Sequence, residues 1–114
     1  MCQDDAPMLD ILLACRDARR YAAGVTWEQF ERNTQLQAAI CVLLEIVGDA
    51  ARDLPEEYKA AHPEIPWSDV VSLPSRIVHE DLQMDLPVIW QVVQRDIPTL
   101  ESLVAPLAPA EGQG

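Results

Sequence analysis

Residues 33–54 read NTQLQAAICVLLEIVGDAARDL, and the apolar positions in this stretch recur every three or four residues. That spacing predicts a long α-helix with one buried face. Asn33 or Thr34 can cap its start. Gly48 lies inside the stretch, where glycine costs about 1 kcal/mol relative to alanine, so we expect it to mark a close contact with another helix. The apolar positions are Leu36, Ile40, Leu43, Leu44, Val47, Ala51 and Leu54.

The segment before this helix carries two further helix signals. An amphipathic pattern over residues 8–22 predicts a first long helix, and Gly24 follows its end. Thr26 and Gln29 have the spacing of a capping box, which predicts a short second helix.

The segment after it is divided by prolines. Pro74 falls within a helical pattern that starts near Trp67, and it should kink or restart that helix. Asp85 can cap a last helix, which Pro98 is expected to bend or end. These signals predict an all-α fold, an antiparallel bundle of four main helices with short extra helices. We expect a helical domain over residues 1–107 and a flexible tail over residues 108–114.

The charge of the chain restricts its partners. The 114 residues carry 19 acidic and 8 basic side chains, a formal net charge of −11, without a Lys/Arg run. Affinity for nucleic acids comes mainly from neutralising phosphates, so we expect a poor general binder of RNA or DNA. The sequence contains no run of eighteen uncharged apolar residues and no signal peptide, which predicts a cytoplasmic protein without a membrane span. Three scattered cysteines predict neither a disulfide framework nor a zinc site. We also expect no other metal and no cofactor.

Residues 74–85, PSRIVHEDLQMD, contain the candidate chemistry. Arg76 and His79 are three residues apart, so in a helix they would share a face and could hold an anion between them. The simpler alternative is a partly exposed surface pair. Glu45 and Asp49 lie four apart on the long helix, and they either approach His79 and set its charge or form an ordinary solvated pair.

The chain resembles the HepT-type proteins of the HEPN superfamily, the toxin halves of modules whose other half is a minimal nucleotidyltransferase antitoxin. The resemblance rests on residues 43–67, LLEIVGDAARDLPEEYKAAHPEIPW, on residues 85–100, DLPVIWQVVQRDIPTL, and on RIVH between them. It implies a metal-independent endoribonuclease, with His79 and Arg76 as catalytic residues and a site completed across a homodimer.

The ribonuclease motif of this family is altered here. It consists of an arginine, four to six residues, a histidine, any residue and a tyrosine. If His79 is the histidine, Pro74 occupies an arginine position and Asp81 occupies the tyrosine position. In the family the nucleotidyltransferase attaches AMP to that tyrosine, so Asp81 excludes control by this modification.

Three functions are therefore compatible with the sequence. The first is a ribonuclease of the toxin type with a degenerate motif, which uses His79 and acts on RNA. The second is a catalytically impaired helical protein that docks a nucleotidyltransferase or another helical partner. The third is a helical subunit that presents a small molecule to such an enzyme, and the acidic surface would suit a cationic ligand such as an aminoglycoside.

Overall fold

A computed structural model describes residues 4–109, and most of these residues are helical. A π-helical segment, Val92–Asp96, joins the last two α-helices into one helical run over residues 86–104. The only strand-like pairing within residues 4–109 is the isolated bridge between Val78 and Met84. The α-helices are α1 (Asp5–Ala22), α2 (Trp27–Glu31), α3 (Thr34–Asp53), α4 (Glu56–Ala61), α5 (Trp67–Val71), α6 (Leu73–Ile77), α7 (Leu86–Gln91) and α8 (Ile97–Val104).

The three helix caps that the sequence predicted are confirmed. Thr26 and Gln29 form a reciprocal capping box at α2, with hydrogen bonds of 2.9 and 3.2 Å. The Asn33 side chain accepts from the Leu36 amide at 3.0 Å and caps α3. The Asp85 side chain accepts from the Val88 amide at 3.2 Å and caps α7. Each cap satisfies an amide that the first turn of a helix leaves without a backbone acceptor.

The core forms where α1 packs against α3. The predicted stripe of α3 faces inward, because Ile40, Leu44, Val47 and Ala51 are all 0% exposed. α3 is also long and apolar enough to cross a membrane, by length and composition alone. The core helix of a globular domain meets the same criteria, and packing against α1 accounts for the apolar face.

Two of the three cysteines belong to this core, as predicted. Burial, together with nearby Glu101, raises the pKa of Cys15 to about 12. Burial, together with nearby Glu45, raises the pKa of Cys41 to about 11. Both thiols therefore stay protonated near neutral pH and act as small apolar groups. Cys2 lies outside the described residues.

Gly48 lies at the predicted close contact, between α3 and α6. A Cβ atom at this position would meet the Pro74 ring, closer than 2.5 Å to Cδ and 2.8 Å from Cγ. The same Cβ would lie 3.2 Å from the Val70 carbonyl oxygen. Gly48 thus allows the start of α6 to sit directly against the α3 backbone, and the contact is made within one chain.

Pro98 is accommodated by the π-helical segment. Proline has no amide hydrogen, and its ring clashes with the carbonyl four residues earlier in a regular α-helix. Here the turn widens, and the Ile97 amide donates to the Val92 carbonyl five residues back. The helical run therefore continues through Pro98 to Val104 rather than ending there.

A charged cluster ties α1 to α8. The Arg19 guanidinium donates to both carboxylate oxygens of Glu101, at 2.6 and 3.0 Å, and Arg16 lies 3.7 Å from the same carboxylate. The hydrogen bond from Arg19 lowers the pKa of Glu101. This ion pair therefore adds stability at neutral pH that is lost as the pH falls through the folded-state pKa of Glu101.

The all-α class is confirmed, but the four predicted main helices are not all present as single elements. α1 and α3 are long and uninterrupted. Residues 86–104, which we call the third helical run, are divided by the π-helical segment. Instead of a fourth long helix, the short helices α5 and α6 pack against α3 and supply buried residues there. At the C-terminal end, Ala108 donates to the Val104 carbonyl at 3.0 Å and packs against the core. The rest of the predicted tail, from residue 110, lies outside the described residues.

Candidate functional site

The stretch 74–85 forms a helix followed by a closed turn. α6 ends at Ile77, and the chain then folds back so that Val78 pairs with Met84. Within the turn, the His79 amide donates to the Gln83 carbonyl at 2.9 Å and the Leu82 amide donates to the His79 carbonyl at 2.8 Å. His79 therefore lies outside the helix, and the predicted helical face shared with Arg76 is wrong.

His79 is held by Asp85. Its Nε2 atom lies 2.9 Å from Asp85 Oδ2, and the imidazole is 55% exposed. The other carboxylate oxygen of Asp85 accepts from the Val88 amide at 3.2 Å. One carboxylate thus fixes the imidazole and caps α7, and it leaves Nδ1 as the ring nitrogen that can exchange a proton with a ligand.

Arg76 faces a different part of the surface. Its guanidinium donates to the Asp69 carbonyl at 3.1 Å and lies 3.9 Å from the Asp96 carboxylate. These groups border a cavity of about 180 Å³ between α5, α6 and the third helical run. His79 lines another cavity. Arg76 is therefore not placed to stabilise charge on a group that reacts at His79.

The two altered motif positions both have structural roles. Pro74 is the second residue of α6 and packs against Gly48. Asp81 accepts from the Gln83 amide at 3.2 Å through its side chain, a contact typical of aspartate in turns. Neither residue supplies a cation or a phenol to the His79 turn.

Glu45 and Asp49 have other partners. Glu45 accepts a long hydrogen bond of 3.9 Å from the Cys41 thiol, and Asp49 forms an exposed ion pair of 3.2 Å with Arg52. All these contacts lie within α3, so they support the ordinary solvated pair rather than a role at His79.

The His79 cavity has a volume of about 340 Å³ and opens to solvent. Its remaining lining residues come from α2, from the end of the turn and from the start of α7, and no lysine or arginine is among them. Trp27 and Glu31 were not predicted to belong to the site, because α2 reaches this place through tertiary packing against α7. The cavity is lined by Trp27, Glu31, His79, Gln83, Met84, Asp85, Leu86 and Pro87.

Leu82 is strained in the same turn. Its φ is +68°, in the left-handed region that side chains with a Cβ atom rarely adopt, and 84% of the residue is exposed. This conformation costs roughly 1–2 kcal/mol for a residue other than glycine. The leucine side chain recovers little of that cost through burial.

Replacing Leu82 with glycine is therefore expected to stabilise the protein by about 0.5–1 kcal/mol, because glycine removes the left-handed penalty but also gives the unfolded chain more freedom. Urea unfolding of the two proteins measures this difference. Leu82→Ala keeps the Cβ atom and is the control. Equal stabilities for the glycine and alanine variants would contradict the assignment of strain.

Fold and site together define an all-α domain whose candidate chemistry centres on one exposed histidine in a turn between two helices. The family model described as "Ribonuclease HepT-like" matches residues 11–107. The chain belongs to this family of HepT-like ribonucleases.

Similar proteins agree with that assignment. A protein of Thermococcus cleftensis named "Probable ribonuclease HepT" is 32% identical over 92 residues, which are 81% of this chain and 84% of the relative. A protein of Caldanaerobacter subterraneus, named as an RNase, is 29% identical over 89% of this chain and 90% of its own length. A further RNase by name, from Methanocaldococcus jannaschii, is 26% identical over 85% of this chain and 89% of its own length. No solved structure matches the chain.

Proposed function

We propose that this protein is the toxin-type half of a module whose other half is a minimal nucleotidyltransferase antitoxin, and that it retains a weak, metal-independent ribonuclease activity at His79. The observation that carries the proposal is the exposed imidazole at an open cavity, held by Asp85 at 2.9 Å. Membership of the HepT-like ribonuclease family supports RNA as the substrate.

In the proposed reaction, Nδ1 of His79 removes the proton of a ribose 2′-hydroxyl. The 2′-oxygen then bonds to the adjacent phosphorus, and the bond from phosphorus to the 5′-oxygen breaks. The proton returns to that leaving oxygen, so the products are a 2′,3′-cyclic phosphate and a 5′-hydroxyl. Asp85 holds the ring throughout and stabilises its protonated form, as a carboxylate does for a general base.

The electrostatics of the cavity make this reaction slow. The phosphorane gains negative charge, and loss of one preorganised group that stabilises such charge typically costs roughly 10²–10³ in rate. Here the lining includes the carboxylates of Glu31 and Asp85, without a lysine or arginine. Asp81 adds a further carboxylate in the turn. We therefore attribute the expected low rate of cleavage to the missing cation. The group that transfers the proton, His79, is still present.

Restoring the motif tests this assignment. The double substitution Pro74→Arg and Asp81→Tyr is expected to raise RNA cleavage at least about tenfold, or roughly 1.4 kcal/mol in transition-state stabilisation. Initial rates on a single-stranded RNA, with a chelator present, measure the gain. The matched control is Ser75→Arg with Asp81→Tyr, which adds the same charge at a neighbouring exposed position. A folded double variant without a gain beyond that control would contradict the proposal.

Control by the partner would act through binding. Asp81 has no phenolic oxygen, so nucleotidyl transfer to that position is not available. The lack of a cation at the His79 cavity also favours the second candidate function, a helical protein that docks the nucleotidyltransferase without cleaving RNA. Titration of the purified partner into the cleavage reaction separates the two. Inhibition at equimolar partner fits the toxin, and complex formation without any cleavage by the free chain fits the docking protein.

We further propose a homodimer through the outer face of α3. Val42 and Ile46 lie four residues apart on that helix and remain 54% and 40% exposed. Gly48 does not contribute to this face, since it is buried against Pro74. Light scattering at micromolar concentration is expected to give twice the chain mass, and Val42→Asp should lower it to one chain. A monomer mass for the unmodified protein would exclude the dimer.

A further inference from the structure

We propose that Trp27 and Glu31 form a nucleobase subsite beside His79 and select an unpaired guanine. This inference rests on the proposed ribonuclease function for the identity of the ligand, but base binding can be measured without cleavage. Both residues line the same cavity as His79 and come from α2, far from the ribonuclease motif in the sequence.

Trp27 has the properties of a stacking platform. It is partly buried and packs against the core. The centroid of its indole lies 6.0 Å from the ring centroid of Phe30 and 6.2 Å from that of Trp90. Phe30 and Trp90 are themselves 5.0 Å apart, so three aromatic rings fix one another. A rigid indole at an open cavity offers a flat surface on which a base can stack without ordering a mobile side chain.

Hydrogen bonds also hold α2 in position. Gln37 is 5% exposed, and its side-chain amide donates to the carbonyls of Phe30 and Glu31 at 2.9 and 3.0 Å. Thr26 and Gln29 fix the other end of the helix through the capping box. Trp27 and Glu31 are thus presented to the cavity by a short helix that is held at both ends.

The cavity suits a flat and largely neutral group. Its volume of about 340 Å³ is at the lower end of the roughly 300–1,000 Å³ range of small-ligand sites. Met84, Leu86 and Pro87 contribute apolar groups to the same lining as Trp27. A phosphate would find no lysine or arginine among the lining residues, so we place the base in the cavity and the phosphate at its mouth near His79.

Glu31 explains why that base should be guanine. A carboxylate only accepts hydrogen bonds, and its two oxygens match two parallel donors. Guanine presents its N1 and N2 hydrogens side by side on the Watson–Crick edge. On that edge the other three bases place an acceptor beside their donor, which a carboxylate would repel. Such an edge is accessible in single-stranded RNA, where bases can be splayed out and stacked on aromatic side chains.

The experiment measures nucleoside binding to the complete chain, with guanosine, adenosine, cytidine and uridine as probes. The readout is the set of three indole N–H signals in NMR spectra. Guanosine is expected to bind at least about fivefold more tightly than each other nucleoside. Trp27→Ala should weaken guanosine binding about tenfold, and Trp27→Phe, which keeps a stacking ring, should restore most of it. Glu31→Gln should remove the preference for guanosine, whereas Glu28→Gln on the same helix should not.

The outcomes separate this inference from the proposed function. Guanosine binding without any RNA cleavage supports the subsite and counts against the ribonuclease. Cleavage that depends on His79 but shows no guanine preference and no effect of Glu31→Gln overturns the subsite and leaves the ribonuclease in place. Equal binding of all four nucleosides also overturns it. Glu31 is exposed, so its substitution tests the proposal even if Trp27→Ala perturbs the aromatic cluster.

Discussion

Replacing His79 with alanine is expected to lower the rate of RNA cleavage by about 100-fold or more, the usual contribution of a positioned general base. The imidazole is the proton-accepting group that the proposed reaction uses at the cavity, and Asp85 holds it at 2.9 Å. Initial rates on single-stranded RNA, followed with a chelator present, measure the loss.

One further test variant and one control variant accompany that measurement. Asp85→Asn keeps the shape of the side chain but removes its charge, so it should also lower the rate and alter the pH profile of cleavage. His62→Ala is the matched control, because His62 lies at the end of α4, beside Glu64 and Tyr58. If the rate is unchanged in His79→Ala, the reaction takes place elsewhere on the protein.

Replacing Gly48 with alanine is expected to destabilise the fold by about 3 kcal/mol, at the upper end of the usual cost of overpacking a core. The new Cβ atom would overlap the Pro74 ring, whose atoms cannot rotate away, and would press on the Val70 carbonyl oxygen at 3.2 Å. α6 would have to move away from α3. Thermal unfolding should show a decrease in Tm of roughly 10 °C for a domain of this size.

The cost at Gly48 should depend on Pro74. In a Pro74→Ala background the ring atoms are absent, so Gly48→Ala should cost clearly less, with the Val70 carbonyl contact still present. The difference between the two backgrounds is the coupling energy of the pair in a double-mutant cycle. An equal loss of stability in both backgrounds would show that the contact with Pro74 is not the cause.

The helices could be predicted from the sequence because their signals are local. The capping box at Thr26 and the caps at Asn33 and Asp85 each involve residues at most three positions apart. The stripe of α3 follows from helical periodicity alone. Gly48 was predicted to mark a close contact on energetic grounds, and the structure supplies its partner, Pro74.

The geometry of the candidate site could not be predicted in the same way. The turn that carries His79 is made by backbone hydrogen bonds and by a left-handed residue, and that residue is leucine rather than the glycine that would signal it. The side chain of Asp81, which bonds to an amide two residues later, was the one local sign of a turn. From the sequence, Asp81 was interpreted only as a replacement of the motif tyrosine.

Tertiary packing decides the remaining features of the site. Trp27 and Glu31 reach His79 because α2 packs against α7, and no sequence spacing expresses that contact. Arg76 points to Asp69 and Asp96 for the same reason, since the third helical run lies beside α6. Residue type identified which groups could do chemistry, but only the packing determined which of them meet.

Asp85 gives the site an internal reporter. The same carboxylate binds the His79 imidazole and the Val88 amide, so the proton of that amide is protected from solvent exchange only while the carboxylate stays in place. Hydrogen exchange at Val88 therefore follows the opening of the site in the absence of any substrate. A ligand or partner that draws Asp85 away from α7 would be visible as faster exchange at this one position, before any change in the core of the bundle.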